Sequence, residues 1–317
     1  MATFFYNYFA SLLRAVGNSL LPLVFLAVCA ILNIVLDLWF VLGLSWGVKG
    51  AAIATVISQY VSGIGLAAYT YIRLPDFRLG RKYLRPKFSM IKEIAQFSFL
   101  TSLQQSVMNL GILMVQGLVN SFGTVIMAAF AAAVKIDSFA YMPVQDFGNA
   151  FSTFVAQNFG ARKEERIRKG MKQAAAMAVV FCLVISLLVF VFARPLMMIF
   201  VEAQETEILR AGVEYLRIEG AFYCGIGCLF LLYGFYRAVK MPAMSVVLTV
   251  ISLGTRVALA YLLSAIDFIG VTGIWLSVPI GWALADIVGF LYYRKHKERM
   301  FSMMKSYSEG LERTDSC

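Results

Sequence analysis

The chain has 317 residues, of which 60% are hydrophobic and 15% are charged, and its mean hydropathy is +0.76. Soluble globular proteins carry about 25% charged residues, so this composition excludes an ordinary soluble domain. The net charge of +10 does not indicate a nucleic-acid-binding protein, because the basic residues lie between the apolar runs, where membrane topology accounts for them.

Several apolar runs exceed the roughly 18 residues that indicate a transmembrane helix. They predict an all-α polytopic membrane protein with nine helices. The predicted spans are 1–16, 18–42, 47–72, 94–120, 124–158, 173–200, 208–238, 241–264 and 270–293.

The basic residues are distributed unevenly between the two sides of this predicted bundle. One side, which includes the C-terminus, holds 22 of the 28 Lys and Arg residues, and the positive-inside rule makes that side cytoplasmic. We therefore expect a multi-pass protein of the inner (cytoplasmic) membrane with a cytoplasmic C-terminus. The opposite side has four basic residues: Lys49, Arg194, Arg210 and Arg217.

A long connection with two prolines and seven basic residues separates the third predicted helix from the fourth. It predicts a division into two lobes joined on the cytoplasmic side. The predicted parts are a remnant of an N-terminal lobe with three helices (1–72), a cytoplasmic basic linker (73–93), a C-terminal lobe with six helices (94–293) and a cytoplasmic tail (294–317).

An internal repeat relates the beginning of the chain to its last third. With an offset of 223 residues and no gap, the motif R-A-V at 14–16 recurs at 237–239, and G-V-x-G at 47–50 recurs at 270–273. Many secondary transporters are built from such repeats. In this register helices seven to nine copy helices one to three, so an intact molecule of twelve helices is expected to have about 136 further residues and three further helices before Met1.

Three oxygen-bearing side chains lie in the first repeat at similar depth. Asp37 is about 8 Å from the outer end of its helix, Asn33 is one turn deeper on the same face, and Thr55 is about 12 Å deep on the next helix. Such groups suit a hard cation such as Na⁺, and a desolvated carboxylate also suits a proton. The structural alternative is hydrogen bonding between helices.

The second copy has Arg256, Ala260 and Val278 at the equivalent positions. The carboxylate is not repeated, so ion coupling is expected in the N-terminal lobe. An arginine within the bilayer needs a counter-ion, and Asp286 or Glu219 are the candidates for a structural pair.

A second group of polar residues lies on helices four and five. Lys135 and Asp137 are two residues apart and therefore do not share a helix face, so each needs its own partner or a water-filled cavity. Gln104, Gln105 and Asn109 are candidates to line the same cavity between lobes. The alternative is a purely structural network.

No enzyme constellation is found. The single histidine, His296, lies in a basic run without a nucleophile or ligand partner nearby, and no Gly-rich phosphate loop indicates a built-in ATPase. We predict no enzyme, no cofactor and no metal beyond a possible Na⁺ at Asp37 and Asn33, with Na⁺ or H⁺ as the coupling ion.

The motif L-R-A-V-G-N-S…P…I-L-N-I-V-L-D…G-V-K-G-A-A-I-A-T, together with F-V-A-Q-N-F-G-A-R-K at 154–163, resembles the multidrug and toxin extrusion (MATE) transporters of prokaryotes. The resemblance covers nearly all of 1–293. It implies a twelve-helix, two-lobe antiporter that lacks roughly its first three helices here.

The resemblance also implies functional residues. Asn33 and Asp37 match the family's Asn-x-x-x-Asp pair, and Thr55 matches its threonine in the next helix. The family's acid in the first helix has no counterpart here. Gln104, Gln105 and Ile226 fall near the positions of acids in the second lobe, so a cation site there is not expected.

The leading hypothesis is export of small lipophilic organic cations and drugs in exchange for Na⁺ or H⁺ by alternating access. The alternatives are a lipid-linked precursor flippase of related architecture, for which Lys135 and Arg256 would offer anion contacts, and a non-transporting fragment. The expected partners are the lipid bilayer and the cationic substrate. We expect no nucleic acid and a monomer that the missing N-terminal helices would complete.

Overall fold

The structure, a computed structural model, describes residues 2–74 and 88–315, and these residues form helices joined by short turns. The central part of the predicted linker, 75–87, lies outside the described residues. The chain divides into two compact units, Met1–Ile91 and Lys92–Cys317. The helices are α1 (Ala2–Ala15), α2 (Leu20–Leu38, continued by a π-helical turn at Trp39–Gly43), α3 (Gly47–Arg73), α4 (Phe88–Asn120), α5 (Thr124–Gly160), α6 (Glu164–Met197), α7 (Thr206–Gly220), α8 (Tyr223–Ala238), α9 (Pro242–Ser264) and α10 (Val271–Asp315).

Six of these helices are long and apolar enough to cross a membrane: α2 with its π-helical turn, α3, α5, α6, α9 and α10. The pair α7 and α8 makes a seventh span if it is counted as one bent element. The described residues contain no strand. The protein is therefore an all-α polytopic membrane protein, as predicted.

The seventh predicted helix, 208–238, is two helices. The chain bends by 52° between α7 and α8. The break follows Gly220, whose missing side chain weakens a helix and leaves room for Val189 at 3.1 Å from an ideal Cβ position.

The sixth predicted helix begins nine residues earlier than expected, because the basic stretch 160–172 is mostly helical. Two acidic residues in the first turn of α6 explain this difference. Glu164 pairs with Arg168 and Glu165 with Lys169, each at 2.7 Å across one turn, and acidic groups at a helix start interact favourably with its dipole. Helix α10 likewise continues beyond 293 to Asp315.

The helix boundaries of the two repeats agree at the offset of 223 residues. Helices α1, α2 and α3 correspond to α8, α9 and α10, with start positions that differ by at most two residues. The turns agree as well, since left-handed backbone occurs at Gly17 (φ 88°) and its equivalent Lys240 (φ 61°), and at Gly47 (φ 54°) and its equivalent Gly270 (φ 51°).

The repeats also share contacts. An ideal Cβ at Gly50 would lie 2.9 Å from Cβ of Phe40 and 3.0 Å from Cβ of Trp46. One at Gly273 would meet the equivalent residues, Leu263 at 2.6 Å and Ile269 at 3.0 Å. Such equivalence of side-chain neighbours is not expected of a chance match between apolar sequences, so the repeat is real.

The core of the second unit is built from large side chains of several helices. Phe130 of α5 stacks on Trp275 of α10 with ring centroids 5.6 Å apart, and Tyr215 of α7 meets Trp275 edge to face at 4.9 Å. Helices α5 and α8 approach most closely where Gly148 faces Gly234. This packing fixes α7 and α8 against the middle of α5.

Candidate functional site

The first candidate site lies at the end of α2, in the first unit. The side-chain nitrogen of Asn33 donates to the hydroxyl oxygen of Thr55 on α3 at 3.4 Å, and the Thr55 hydroxyl donates to the carbonyl of Ala51 at 3.0 Å. Asp37 is one turn beyond Asn33, and both are half-buried. The structure thus brings Asn33 and Thr55 together, as the sequence predicted.

Asp37 has a buried and unsatisfied oxygen. Its Oδ1 is out of contact with solvent and has no hydrogen-bond partner within residues 2–74 and 88–315. Buried polar atoms are nearly always paired, and each exception needs an explanation. An oxygen that awaits a cation or a proton is one such explanation.

A π-helical turn begins two residues after Asp37. It covers Trp39–Gly43, and the amide of Leu44 donates to the carbonyl of Trp39 at 2.9 Å. Such turns are frequent at functional sites, because they change the direction of nearby side chains at a small loss of helix stability. At the equivalent positions, 262–266, the second copy has no π-helical turn, because α9 ends at Ser264 and a turn follows.

Two of the three equivalent positions in the second copy, those of Asp37 and Thr55, are apolar. Ala260 is fully buried and Val278 is 1% exposed. The two repeats thus have the same backbone with different chemistry, in agreement with the prediction that the carboxylate is not repeated.

Sequence reasoning did not predict a second cluster, which lies in the middle of the second unit. Asp137 of α5 is 6% exposed and accepts a hydrogen bond from the Tyr223 hydroxyl at 2.6 Å and another from the Tyr215 hydroxyl at 3.5 Å. The carboxyl group of Glu219, which is 1% exposed, lies beside that of Asp137. Two neighbouring buried carboxyl groups disfavour ionisation of both.

Arg256 lies near this cluster without joining it. Its charge acts on both Asp137 and Glu219, yet its Nε is buried without a hydrogen-bond partner. Of the two predicted counter-ions, Glu219 is therefore close to Arg256.

Asp286, the other predicted counter-ion, does not pair with Arg256. It belongs to α10, and its carboxylate lies 3.9 Å from an ideal Cβ of Gly225 on α8. Its Oδ1 has no hydrogen-bond partner. The pairing was predicted from sequence composition alone, which does not show that Asp286 faces α8.

Lys135 and Asp137 lie in different surroundings and have separate partners. Lys135 is exposed, with its ammonium 5.8 Å from the centre of the Phe200 ring, whereas Asp137 is buried. The reason is the one that the spacing already indicated, because side chains two residues apart on a helix point in different directions.

Gln104 and Gln105 lie in a different place from Asp137. The Gln104 amide donates to the Thr249 hydroxyl at 3.0 Å, and both glutamines line a small polar pocket of about 150 Å³ between α4, α5 and α8. Gln145, Asn149 and Arg237 complete its polar lining. Asn109 is exposed and is not part of that lining.

We call Asp137, Glu219, Tyr215 and Tyr223 the acidic cluster. One feature of the sequence indicates part of it. Tyr215 and Glu219 are four residues apart on α7 and therefore share a helix face, but their partners Asp137 and Tyr223 are on other helices. In the described residues, no group of three or more His, Cys, Asp or Glu side chains is arranged to hold a metal ion.

The comparisons with known proteins agree with this architecture. Residues 98–262 match the family model described as MatE. The chain is 31% identical to the probable multidrug resistance protein YpnP of Bacillus subtilis over 96% of its own length and 67% of that protein. It is 28% identical to the FAD transporter of Shewanella oneidensis over 84% of its own length and 60% of that protein.

Solved structures match the fold as well. A crystal structure of a mutant of the Vibrio cholerae MATE transporter VcmN superposes with a TM-score of 0.85 and 25% identity, over 93% of this chain and 67% of that one. The present chain spans between 60% and 67% of the length of the two curated relatives named above.

Proposed function

Since the chain belongs to the MATE family of multidrug efflux transporters, we propose that it exports organic cations in exchange for Na⁺ or H⁺ by alternating access. The coupling ion binds at Asp37, Asn33 and Thr55. The observation that carries the proposal is the buried, unpartnered Oδ1 of Asp37, one turn from an amide that is hydrogen-bonded to the Thr55 hydroxyl.

The physical argument concerns charge in a medium of low dielectric constant. An ionised carboxylate within a bilayer is costly unless a cation or a proton neutralises it. No Lys or Arg forms an ion pair with Asp37 in the described part of the chain, so a bound Na⁺ or H⁺ would supply the missing charge.

Coupling requires that the ion and the drug favour different conformations. A ligand shifts a conformational equilibrium only by the difference between its affinities for the two states. In the proposed cycle an ion that enters from outside favours the return to the inward-open state, where the drug binds. The C-terminus lies in the cytoplasm and the protein resides in the inner membrane, in accord with the distribution of its basic residues.

The acidic cluster of Asp137 and Glu219 is the competing place for the ion. Among the described residues its Glu219 Oε1 is buried without a hydrogen-bond partner, as Asp37 Oδ1 is, but Asp137 already accepts hydrogen bonds from two tyrosine hydroxyls. Variants at Asp37 and at Glu219 separate the two locations.

The test is uptake of a fluorescent organic cation into proteoliposomes that contain the 317-residue chain, driven separately by a Na⁺ gradient and by a pH gradient. Asp37→Asn should abolish uptake under the gradient that drives the parent. Asp267→Asn is the matched control, because Asp267 is exposed in the α9–α10 turn.

Two results would contradict the proposal. Unchanged uptake by Asp37→Asn would remove this residue from the mechanism. Absence of uptake under both gradients, with correct insertion of the chain, would show that this polypeptide does not transport the cation by itself.

A second candidate function is export of an anionic substrate, such as the dinucleotide that names the Shewanella relative. It is favoured by the lining of the small polar pocket, which includes Arg237 and no carboxylate. Gradient-driven transport of a flavin dinucleotide, but not of an organic cation, would support this candidate over the first.

A further inference from the structure

A groove between the end of α6 and one face of α7 is lined by most of the basic residues that the sequence places on the predicted outer side. Arg194, Arg210 and Arg217 line it together, in a space of about 590 Å³. The sequence places only four Lys and Arg residues on the predicted outer side, and three of them converge here. We call these three residues and the space between them the basic groove.

The geometry of α7 explains this convergence. Arg210 and Arg217 are two helical turns apart on the same face, a separation of about 10.5 Å that long side chains bridge readily. The opposite face of α7, with Tyr215, Leu216 and Glu219, is buried in the core of the unit. The amphipathic helix therefore holds its arginines against α6.

Helix α6 supplies the other wall. The Arg217 guanidinium lies 5.4 Å from the centre of the Phe190 ring, and Arg194, which follows a kink of α6 at Phe192, lines the same space. The aromatic contact orients Arg217 and does not neutralise it.

The negative charge in the basic groove is not sufficient to balance the arginines. Glu214 is the one carboxylate that lines it, and Glu214 accepts a hydrogen bond from the Thr272 hydroxyl. In the described part of the chain no carboxylate lies within ion-pair distance of Arg194, Arg210 or Arg217. Three cations and one anion leave a local excess of positive charge that an anionic ligand would neutralise.

A simpler explanation covers two of the arginines but not the third. Arg194 and Arg217 each lie in the last turn of a helix, where a positive charge interacts favourably with the helix dipole. Arg210 is the fifth residue of α7, far from its C-terminal end, and gains nothing from that effect. The helix dipole also does not account for the orientation of all three side chains into one groove.

We propose that the basic groove binds a phosphate group. Guanidinium groups present forked donors that match phosphate oxygens, and a space of about 590 Å³ accommodates a phosphoglycerol headgroup. The phosphate comes either from an anionic phospholipid of the surrounding leaflet or from a soluble phosphate ester. This site is separate from Asp37 and from the acidic cluster, and it does not depend on the proposed transport.

The experiment measures binding to the purified chain in detergent micelles by native mass spectrometry. One arm compares phosphatidylglycerol with phosphatidylcholine, and the other titrates glycerol 3-phosphate. Preferential retention of phosphatidylglycerol that glycerol 3-phosphate does not displace assigns the site to a lipid. Saturable binding of glycerol 3-phosphate without a lipid preference assigns it to a soluble ester.

The variant that tests the site is the triple substitution of Arg194→Gln, Arg210→Gln and Arg217→Gln. It should weaken phosphate binding at least about tenfold, since each charge-assisted hydrogen bond contributes strongly. Lys49→Gln, which removes the fourth basic residue of the same side outside the groove, should leave binding unchanged.

If the triple variant does not fold, the single substitution Arg210→Gln at an exposed position replaces it in the binding experiment. Arg210→Gln alone should weaken phosphate binding severalfold. Binding equal to the parent in the triple variant would overturn the proposal. So would an equal loss in the Lys49→Gln control, because the effect would then be one of net charge alone.

Discussion

The acidic cluster gives a quantitative prediction about hydrogen bonds. Tyr223 and Tyr236 are both buried, and both hydroxyl groups donate at 2.6 Å. They differ in the acceptor, which is the Asp137 carboxyl for Tyr223 and the backbone carbonyl of Gly289 for Tyr236. Replacing either tyrosine by phenylalanine removes one hydroxyl and keeps the ring.

The expected losses of stability differ because the acceptors differ. A hydrogen bond to a charged group contributes about 1.5–3 kcal/mol and one between neutral groups about 0.5–1.5 kcal/mol. Two neighbouring buried carboxylates disfavour ionisation of both, so we assign one proton to the pair of Asp137 and Glu219, which then keeps one negative charge. Tyr223→Phe should therefore lower the free energy of unfolding by about 1 kcal/mol more than Tyr236→Phe.

The measurement is equilibrium unfolding of both variants in mixed micelles with increasing dodecyl sulfate, followed by circular dichroism and by tryptophan fluorescence. Coincident transitions by the two probes are the condition for comparing free energies. Equal losses would show that the Asp137–Glu219 pair is neutral. A larger loss for Tyr236→Phe would refute the account of the cluster.

Two further predictions concern glycines. Gly234→Ala should destabilise the protein by more than about 2 kcal/mol, because the added Cβ would clash with the backbone oxygen of Gly148. The control is Gly117→Ala, in open space on α4, which should be neutral or stabilising in the same assay. Gly50→Ala and Gly273→Ala should each destabilise by about 1–3 kcal/mol, and a large effect at only one of them would contradict the equivalence of the repeats.

The fold was largely predictable because its two main signals are local. Apolar runs show which segments cross the membrane, and the motif spacing at 14–50 and 237–273 relates two sets of helices whose start positions agree within two residues. The start of α6 was misplaced because acidic residues in its first turn were interpreted together with the basic loop.

The sites were only partly predictable. Asn33 and Thr55 were placed together because their helices are joined by a short turn, so that depth along each helix predicts proximity. The cluster around Asp137 was not predicted, since its members are on three helices and converge only through packing. For the same reason the sequence left Asp286 and Glu219 as alternative counter-ions of Arg256.

The central claim is that Asp37 holds the coupling ion, and the most direct test is cation binding by the purified chain. Binding of radioactive sodium at several pH values, with proton uptake followed in parallel, should be saturable in the parent and in Glu219→Gln and should be lost in Asp37→Asn. Retention of the bound cation in Asp37→Asn, with its loss in Glu219→Gln, would contradict the claim and move the ion to the acidic cluster.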